Sequence, residues 1–298
     1  MAIGDANGDV SKLTRVQKLF VMRHGQRWDD ANRDWIHEPG VRTWDPPLTD
    51  AGVEQARSAG VKMRGEGVLV SRIFVSPFLR CVQTAAGFIK GMYPEGSDMS
   101  NLKVSIEYGL SELMNNRAIW YPPADPRIVE VWTLPLDKLF SELPSGVVDV
   151  SVQPVFPKLP EWDETREDGR CRYVKTFYEV ADRFPHENIL CISHGEGIQV
   201  SFKDLKPDVV VNHVHYCAYT EAEREVFNAT LESPLSTGSW KMLTELGQKS
   251  GLMFRERSAN SPVRQNIENK NQHIEVISQN VVQTGANMEA FPQVETVA

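Results

Sequence analysis

Two stretches of this chain end in the same way, and together they restrict the fold more than any other feature. Leu19-Phe20-Val21-Met22 runs into Arg23-His24-Gly25, and Ile189-Leu190-Cys191-Ile192 runs into Ser193-His194-Gly195. Four apolar residues in a row, closed by a polar turn, fit a strand covered on both faces, which is the situation of a central strand in a parallel sheet. Ligands of such sheets collect in the crevice beyond the carboxyl ends of the strands, so both histidines are expected to face one crevice. Taken singly, either stretch also fits a plain strand end whose histidine caps the next turn. The rest of the chain, beyond Arg23, separates the two possibilities.

The first strand is predicted over Gln17–Met22, after a loose arm at residues 1–16. From Gly25 to Pro47 the chain is rich in Asp, Arg, Trp and Pro and reads as an irregular loop, a class that is often functional beyond about 12–15 residues. A helix is predicted next. Pro46-Pro47 blocks an earlier start, Thr49 suits the N-cap with Asp50 in the first turn, and Leu48 is placed to staple against Val53. Val53, Ala56, Gly60 and Met63 mark its buried face, and Gly65 and Gly67 end it. After a short strand at Arg72–Val75, Ser76-Pro77 has the pattern of a helix start, with Ser capping and Pro at the first helical position. Arg80 then falls in the first turn, where the helix N-terminus adds partial positive charge and favours an anion. That helix runs to about Gly91, and a strand at Lys103–Ile106 places Glu112 shortly beyond its end. Further on, an acidic loop and a helix fill Trp162–Phe184, the strand ending at His194 comes next, a helix covers Gly197–Lys203, and Val209–Tyr219 reads as one further strand.

A chain of 298 residues with 41% hydrophobic content can bury a sizeable core, and a single α/β domain is expected over residues 17–246. Residues 114–160 break its pattern with eight prolines between Pro122 and Pro160. This segment reads as an insertion outside the core, and both a substrate-shaping cap and a solvated excursion fit it. Residues 247–298 are polar and Asn/Gln-rich, so disorder is expected there, with a short strand around Ile274–Val281. The net charge of −8 argues against nucleic acid as the main partner. No apolar run approaches the roughly 18 residues of a membrane span, and Met1–Lys18 lacks the apolar core of a signal peptide. A cytoplasmic protein without a membrane partner is expected, with nuclear placement left open. Cys81 and Cys191, two of four cysteines, sit inside apolar runs, which suits buried thiols better than disulfides.

Five groups of residues carry chemistry in a fixed order. They are Arg23-His24-Gly25; Leu48-Thr49 with Gly52 and Gln55-Ala56; Ser76-Pro77 with Arg80 and Gln83-Thr84-Ala85; Glu112 after Gly109-Leu110; and Ser193-His194-Gly195. A lone Arg-His-Gly says little, but the ordered set resembles the histidine phosphatase superfamily, with its phosphoglycerate-mutase-like fold, over roughly residues 17–220. The resemblance implies a three-layer α/β/α sandwich and a phosphoryl-transfer site that needs neither metal nor cofactor.

The residue types suit that chemistry on their own terms. Phosphoryl transfer spreads negative charge over equatorial oxygens, so catalysis is mostly positioning plus positive charge. A guanidinium grips two phosphate oxygens and stays protonated, which makes Arg23 and Arg80 candidate clamps. Neutral imidazole is nucleophilic near pH 7, so His24 is the candidate nucleophile and would split the displacement into two steps through a phosphohistidine. A carboxylic acid beside a phosphate dianion has reason to keep its proton, and Glu112 fits the acid role by position. The resemblance implies that His194 lies beside the transferring phosphoryl group, where it is expected to be cationic. Ser193 and Glu196 are expected to orient the loop.

One departure stands out. Mutase-type members continue from their Arg-His-Gly with a small polar residue and Trp-Asn, whereas this chain has Gln26-Arg27-Trp28-Asp29. That pattern, with Asp45-Pro46-Pro47-Leu48-Thr49 and Val214-His215-Tyr216-Cys217, is similar to the protein-tyrosine-phosphatase-like branch and implies Arg27 as a third phosphate clamp. A surface arginine in a charged loop is the other reading of Arg27. A competing constellation is His213, His215 and Cys217, whose alternation on a strand would offer three zinc ligands. The expected function is a metal-independent phosphomonoester hydrolase acting on a phosphorylated small molecule or phosphopeptide, with Trp28, Trp120 and Tyr121 lining an open mouth. A phosphomutase and an inactive phospho-binding scaffold are the alternatives. The oligomeric state is not legible.

Overall fold

The computed structural model describes residues 14–227, 234–245 and 251–256, and its main sheet grows from the two apolar runs. In chain order the elements are β1 (Thr14–Arg23), α1 (Trp28–Ala31), α2 (Asp50–Gly65), β2 (Arg72–Val75), α3 (Leu79–Met92), β3 (Lys103–Ile106), α4 (Leu136–Ser141) and α5 (Arg166–Arg183). They continue with β4 (Ile189–Ser193), α6 (Gly195–Leu205), β5 (Val209–Val214), β6 (Tyr219–Phe227), β7 (Ser236–Thr237), β8 (Lys241–Met242) and β9 (Leu252–Glu256). The strand order is β3-β2-β4-β1-β6-β7, with β8 also on β6. β3, β2, β4 and β1 are parallel, and β6 runs antiparallel to β1, so the sheet is mixed. β5 and β9 pair separately.

Side chains alternate between the two faces of a strand, and here both faces are buried. Phe20, Met22, Ile73, Val75, Leu190 and Ile192 pack with Ala56 and Met63 of α2 and with Val82, Ala85 and Phe88 of α3. Leu19, Val21, Phe74, Ile189 and Cys191 pack on the other side with Tyr173 and Phe177 of α5 and Ile198 and Phe202 of α6. Helices therefore flank a central sheet, the arrangement of the phosphoglycerate-mutase-like fold. The contact of α2 with α3 relies on small residues. A Cβ at Gly91 would stand 1.9 Å from the carbonyl oxygen of Arg57, a collision with backbone that only glycine avoids.

Several expectations change. β1 begins at Thr14 rather than Gln17, because Thr14, Arg15 and Val16 continue the backbone ladder with Phe227, Val226 and Glu225, which needs no apolar side chain. The buried face of α2 is Gly52, Ala56, Ala59, Gly60 and Met63, while Val53 is exposed. Val209–Tyr219 is two strands: β5 stops at Val214, the chain turns through Cys217 at φ 54°, and β6 starts at Tyr219. No glycine or proline marks that turn. Beyond Gly247, Leu252–Glu256 forms β9, with Leu252 buried and Phe254 packed on Phe202, so this part of the expected tail belongs to the fold. The expected strand at Ile274–Val281 lies outside the described residues.

The insertion also contributes to the core. Leu139, Leu143 and Val147 enter the cluster around α2 and α3, and Trp132 and Leu159 join Phe78, Met114 and Ile119 in a cluster of their own. Leu139 and Leu143 share helical spacing with Leu136 and Phe140, where α4 forms, a signal overshadowed by the prolines around it, whereas Trp132 and Leu159 stand without periodicity. No helix among the described residues is long and apolar enough to cross a membrane.

Candidate functional site

The register of the parallel strands assembles the site. Arg23 pairs with Ser193, and both Met22 and Val75 pair with Ile192. The His24 amide donates to the Ser193 carbonyl at 3.0 Å and the Ser76 amide to the Ile192 carbonyl at 3.0 Å, so three strands end level. His24, Ser76 and His194 thus emerge side by side, with the two imidazole centroids 5.4 Å apart. Gly25 is the one residue that fits next. A Cβ there would lie 2.4 Å from the Gly52 carbonyl oxygen, where the loop crosses the start of α2.

The polar residues of the sequence motifs fasten this loop. Thr84 Oγ1 accepts from the Gly25 amide at 3.0 Å, Gln55 Oε1 from the Gln26 amide at 3.0 Å, and Gln83 Oε1 from the Leu48 amide at 2.9 Å. Thr49 caps α2 as predicted, accepting from the Gly52 amide at 2.9 Å. Ser76 does not cap α3. The helix starts at Leu79, Ser76 Oγ accepts from His194 instead, and Asp45 Oδ1 reaches across from the preceding loop to accept the Leu79 amide at 2.9 Å.

His24 is buried and its Nδ1–H donates to the Gly25 carbonyl at 2.8 Å, which fixes the tautomer and leaves the Nε2 lone pair uncommitted. Burial, then the charges of Arg80 and Arg23, push its pKa well below the ordinary imidazole value. His194 has both nitrogens engaged. Arg80 Nη2 can only donate, so Nδ1 accepts from it at 3.2 Å, and Nε2–H donates to Ser76 Oγ at 2.9 Å. Burial and the neighbouring Arg80 push the His194 pKa well below its ordinary value too, so the expected cation is a neutral imidazole in this state. Desolvation beside a fixed guanidinium outweighs anything the histidine gains from Glu112, whose Oε2 is 3.4 Å from Nδ1.

Glu112 is carried by a short, tightly held loop. Ser193 Oγ donates to the Leu110 carbonyl at 2.7 Å, and Arg172, ion-paired to Glu164 at 2.7 Å, donates to the carbonyls of Gly109 and Ser111 at 2.7 and 3.1 Å. Burial raises the Glu112 pKa against the opposing pull of Arg80, the Leu113 amide, Arg27 and Arg23. Glu196 pairs with Arg166 at 3.4 Å on the rim.

The three candidate clamps differ. Arg80 is buried with its Nη1 on Asp45 and the Trp44 carbonyl and its Nε unpartnered. Arg23 lies against the Tyr216 ring at 4.3 Å, donates to the Val214 carbonyl, and also keeps a buried, unpartnered Nε. Two unpaired guanidinium N–H groups beside one histidine are suited to an anion. Arg27 instead forms a two-point pair with Asp29, its Nε 2.9 Å from Oδ1, and sits 3.6 Å from Asp30. These contacts use Nε and Nη2, and Arg27 lines both clefts of the site, so Nη1 is the edge it can offer a phosphate.

Two clefts meet here. One, of about 600 Å³, is lined by Arg23, His24, Arg27, Glu112, Asn115, Asn116 and Arg166 among others. The second, of about 570 Å³, is lined by Arg23, Arg27, Arg33, Trp44, Arg80, Trp120 and Tyr121 among others, so the aromatic mouth lies to one side of the acid. The competing zinc set does not form. His213 and His215 are exposed, Cys217 packs in the core from its turn, and among the described residues no three or more His, Cys, Asp or Glu are placed to hold a metal ion. Sequence reading missed Asp45, Ser76 as a partner of His194, and Tyr216. Asp45 and Tyr216 lay within stretches that carried the resemblance, and only the fold shows what they touch.

Comparison with known proteins matches residues 19–116 to the profile of the histidine phosphatase superfamily (branch 1). An ecdysteroid-phosphate phosphatase of Drosophila melanogaster is 24% identical over 246 residues, covering 70% of this chain and 30% of the relative. Human ubiquitin-associated and SH3 domain-containing protein B is 30% identical over 214 residues, covering 61% of this chain and 30% of the relative. The chain thus spans less than a third of the length of these relatives. Among solved structures, the Bombyx mori ecdysone phosphate phosphatase bound to tungstate superposes with a TM-score of 0.52 at 22% identity, covering 82% of this chain and 95% of that one, which establishes the shared fold.

Proposed function

We propose, from the premise that this chain is a member of branch 1 of the histidine phosphatase superfamily, that it hydrolyses phosphomonoesters through a phosphohistidine on His24. The observation that carries this reading is the tautomer of His24: Nδ1–H is spent on the Gly25 carbonyl, and a neutral Nε2 opens on a cleft that Glu112 also lines. Nε2 attacks phosphorus while the ester P–O bond breaks and its electron pair leaves with the oxygen. Glu112, whose raised pKa keeps it protonated above the usual carboxylate range, gives that oxygen its proton. Water then attacks the phosphohistidine, Glu112 takes the proton from it, and the P–N bond breaks to restore neutral His24. Arg23 and Arg80 hold the equatorial oxygens, with Arg27 joining through the Nη1 edge that its pair with Asp29 leaves over. His194, neutral in the free site, donates no net charge until the dianion itself favours its protonation.

Hydrolysis is favoured over isomerisation because a mutase must shelter its phosphohistidine and return the group to a highly anionic sugar acid. Of the basic residues of the insertion, only Arg117 lines the two clefts, a single cation where that task calls for several. Arg127 pairs with Asp125 at 2.9 Å and Lys158 with Glu161 at 3.6 Å, both well exposed. The leaving group departs into the cleft shared by His24 and Glu112, which is polar, and the aromatic cleft receives whatever extends beyond it. Substrates are phosphorylated small molecules or phosphopeptides, and the ester class that the insect relatives are named for belongs in the test.

The experiment follows phosphate release from alkyl, aryl, peptide and ecdysteroid phosphates after exhaustive chelation, alongside interconversion of phosphoglycerates. Phosphate release without interconversion is the expected result. Rapid interconversion with negligible phosphate would make the chain a mutase, and no turnover of any ester would favour the binding scaffold.

A further inference from the structure

Arg80 has two carboxylates within reach. Its Nη1 is 3.4 Å from Asp45 Oδ1 and its Nη2 is 4.0 Å from Glu112 Oε2. Asp45 and Arg80 are both buried, and Asp45 Oδ1 also takes the first amide of α3, so it grips the helix start and the guanidinium that projects from it together. We propose that Asp45 is a positioning residue that holds Arg80 by its far edge, keeps it from closing onto Glu112, and thereby leaves Glu112 able to carry a proton. This rests on the assignment of Glu112 as the acid.

The alternative geometry explains why such a hold is needed. A guanidinium free to turn would form a two-point pair with Glu112, and a buried carboxylate so paired gives up its proton. The groups that face Glu112 are Arg80 and Cys81 from α3, Arg23 at the end of β1 and Arg27 beyond it, His194 just past β4, Arg172 and Tyr173 from α5, and the Leu113 amide. Of the four that pull its pKa down, Arg80 pulls hardest, so its placement decides how much of the acid form survives. Asp45 faces Arg80 and, through Oδ2, Arg42 at 3.7 Å. Burial raises its own pKa to about 6, so it is ionised at neutral pH and loses its charge in mild acid.

That sets a pH window. Above about pH 6 wild-type Asp45 is an anion and holds Arg80. Below it, the protonated side chain resembles asparagine. The test compares kcat/KM against pH for wild type and Asp45→Asn, on an alkyl phosphate that needs the proton and an activated aryl phosphate that does not. Glu112→Gln serves as the control. The expected result is that Asp45→Asn matches wild type below about pH 6 and falls away above it more steeply on the alkyl ester than on the aryl one, which loses only what the displaced Arg80 clamp costs; the extra loss on the alkyl ester is about tenfold for each unit by which the Glu112 pKa drops. Arg42→Met, which removes a charge that holds the Asp45 pKa down, should fall below wild type on the alkyl ester just above about pH 6, a comparison that does not need Asp45→Asn to fold. Profiles of unchanged shape, or equal losses on both esters, would overturn the role of Asp45. Equal losses on both esters in Glu112→Gln would instead overturn the assignment of Glu112 itself.

Discussion

His24 and His194 come from the same design, an apolar strand running into a turn, yet the fold gives them opposite bonding. One nitrogen of His24 is tied to the backbone carbonyl of Gly25 and the other is uncommitted. His194 accepts from Arg80 and donates to Ser76, so it has no lone pair to offer. Both rings are buried and both have their pKa pushed down by burial and by Arg80. What distinguishes the two rings is therefore the partner of each nitrogen rather than basicity or position in the sheet.

The largest expected effect breaks the comparison outright. His24→Ala should lower turnover of every ester on the order of 10⁴-fold or more, because no other side chain at the cleft offers a free imidazole lone pair. A smaller loss, shared by His194→Ala, would mean that the two rings are interchangeable. His194→Gln keeps a donor and an acceptor but not the ring, and should cost about 10²- to 10³-fold in kcat while leaving formation of the phosphoenzyme detectable. Ser76→Ala removes the acceptor of His194 Nε2–H together with the Ser76 contact to Cys81. Steady-state kinetics should show a loss of about fivefold, the equivalent of about 1 kcal/mol. A change in pH sharpens the same contrast. Since both pKa values lie well below the ordinary 6.5, neither ring should gain a proton as pH falls from 7 to 6 in the free protein. Imidazole ¹⁵N shifts that titrate near 6.5 would contradict the burial account.

The parts of the fold that were legible in the sequence are those where one physical rule acts alone. β2 and β3 match their predicted bounds and β4 ends at Ser193, one residue before the predicted His194; in β2 and β4 the runs Ile73–Val75 and Ile189–Ile192 are apolar because both faces are covered. The candidates Arg23, His24, Arg80, Glu112 and His194 do come together in space, since strand ends and helix starts bring such residues to one crevice. Where rules competed, the reading failed. Ser76-Pro77 has the local signature of a cap, but His194 claims the Ser76 hydroxyl and Asp45 takes over the cap from 34 residues away in sequence. The cationic state expected of His194 ignored the cost of burying a second positive charge beside Arg80. Trp132 is 1% exposed within a proline-rich insertion, because its ring stacks on Trp162 and its indole N–H donates to the Pro126 carbonyl, contacts with no periodic trace.

The central claim is that the phosphoryl group resides on His24 and on one particular nitrogen. Rapid quench into alkali during turnover of a labelled ester, with subsequent mapping of the modified residue and its isomer, tests it directly. The account predicts an acid-labile, alkali-stable phosphohistidine at His24 Nε2, retained in Glu112→Gln with an activated ester and absent in His24→Ala. A label on His194, on Nδ1 of His24, or on an acid-stable residue would contradict it.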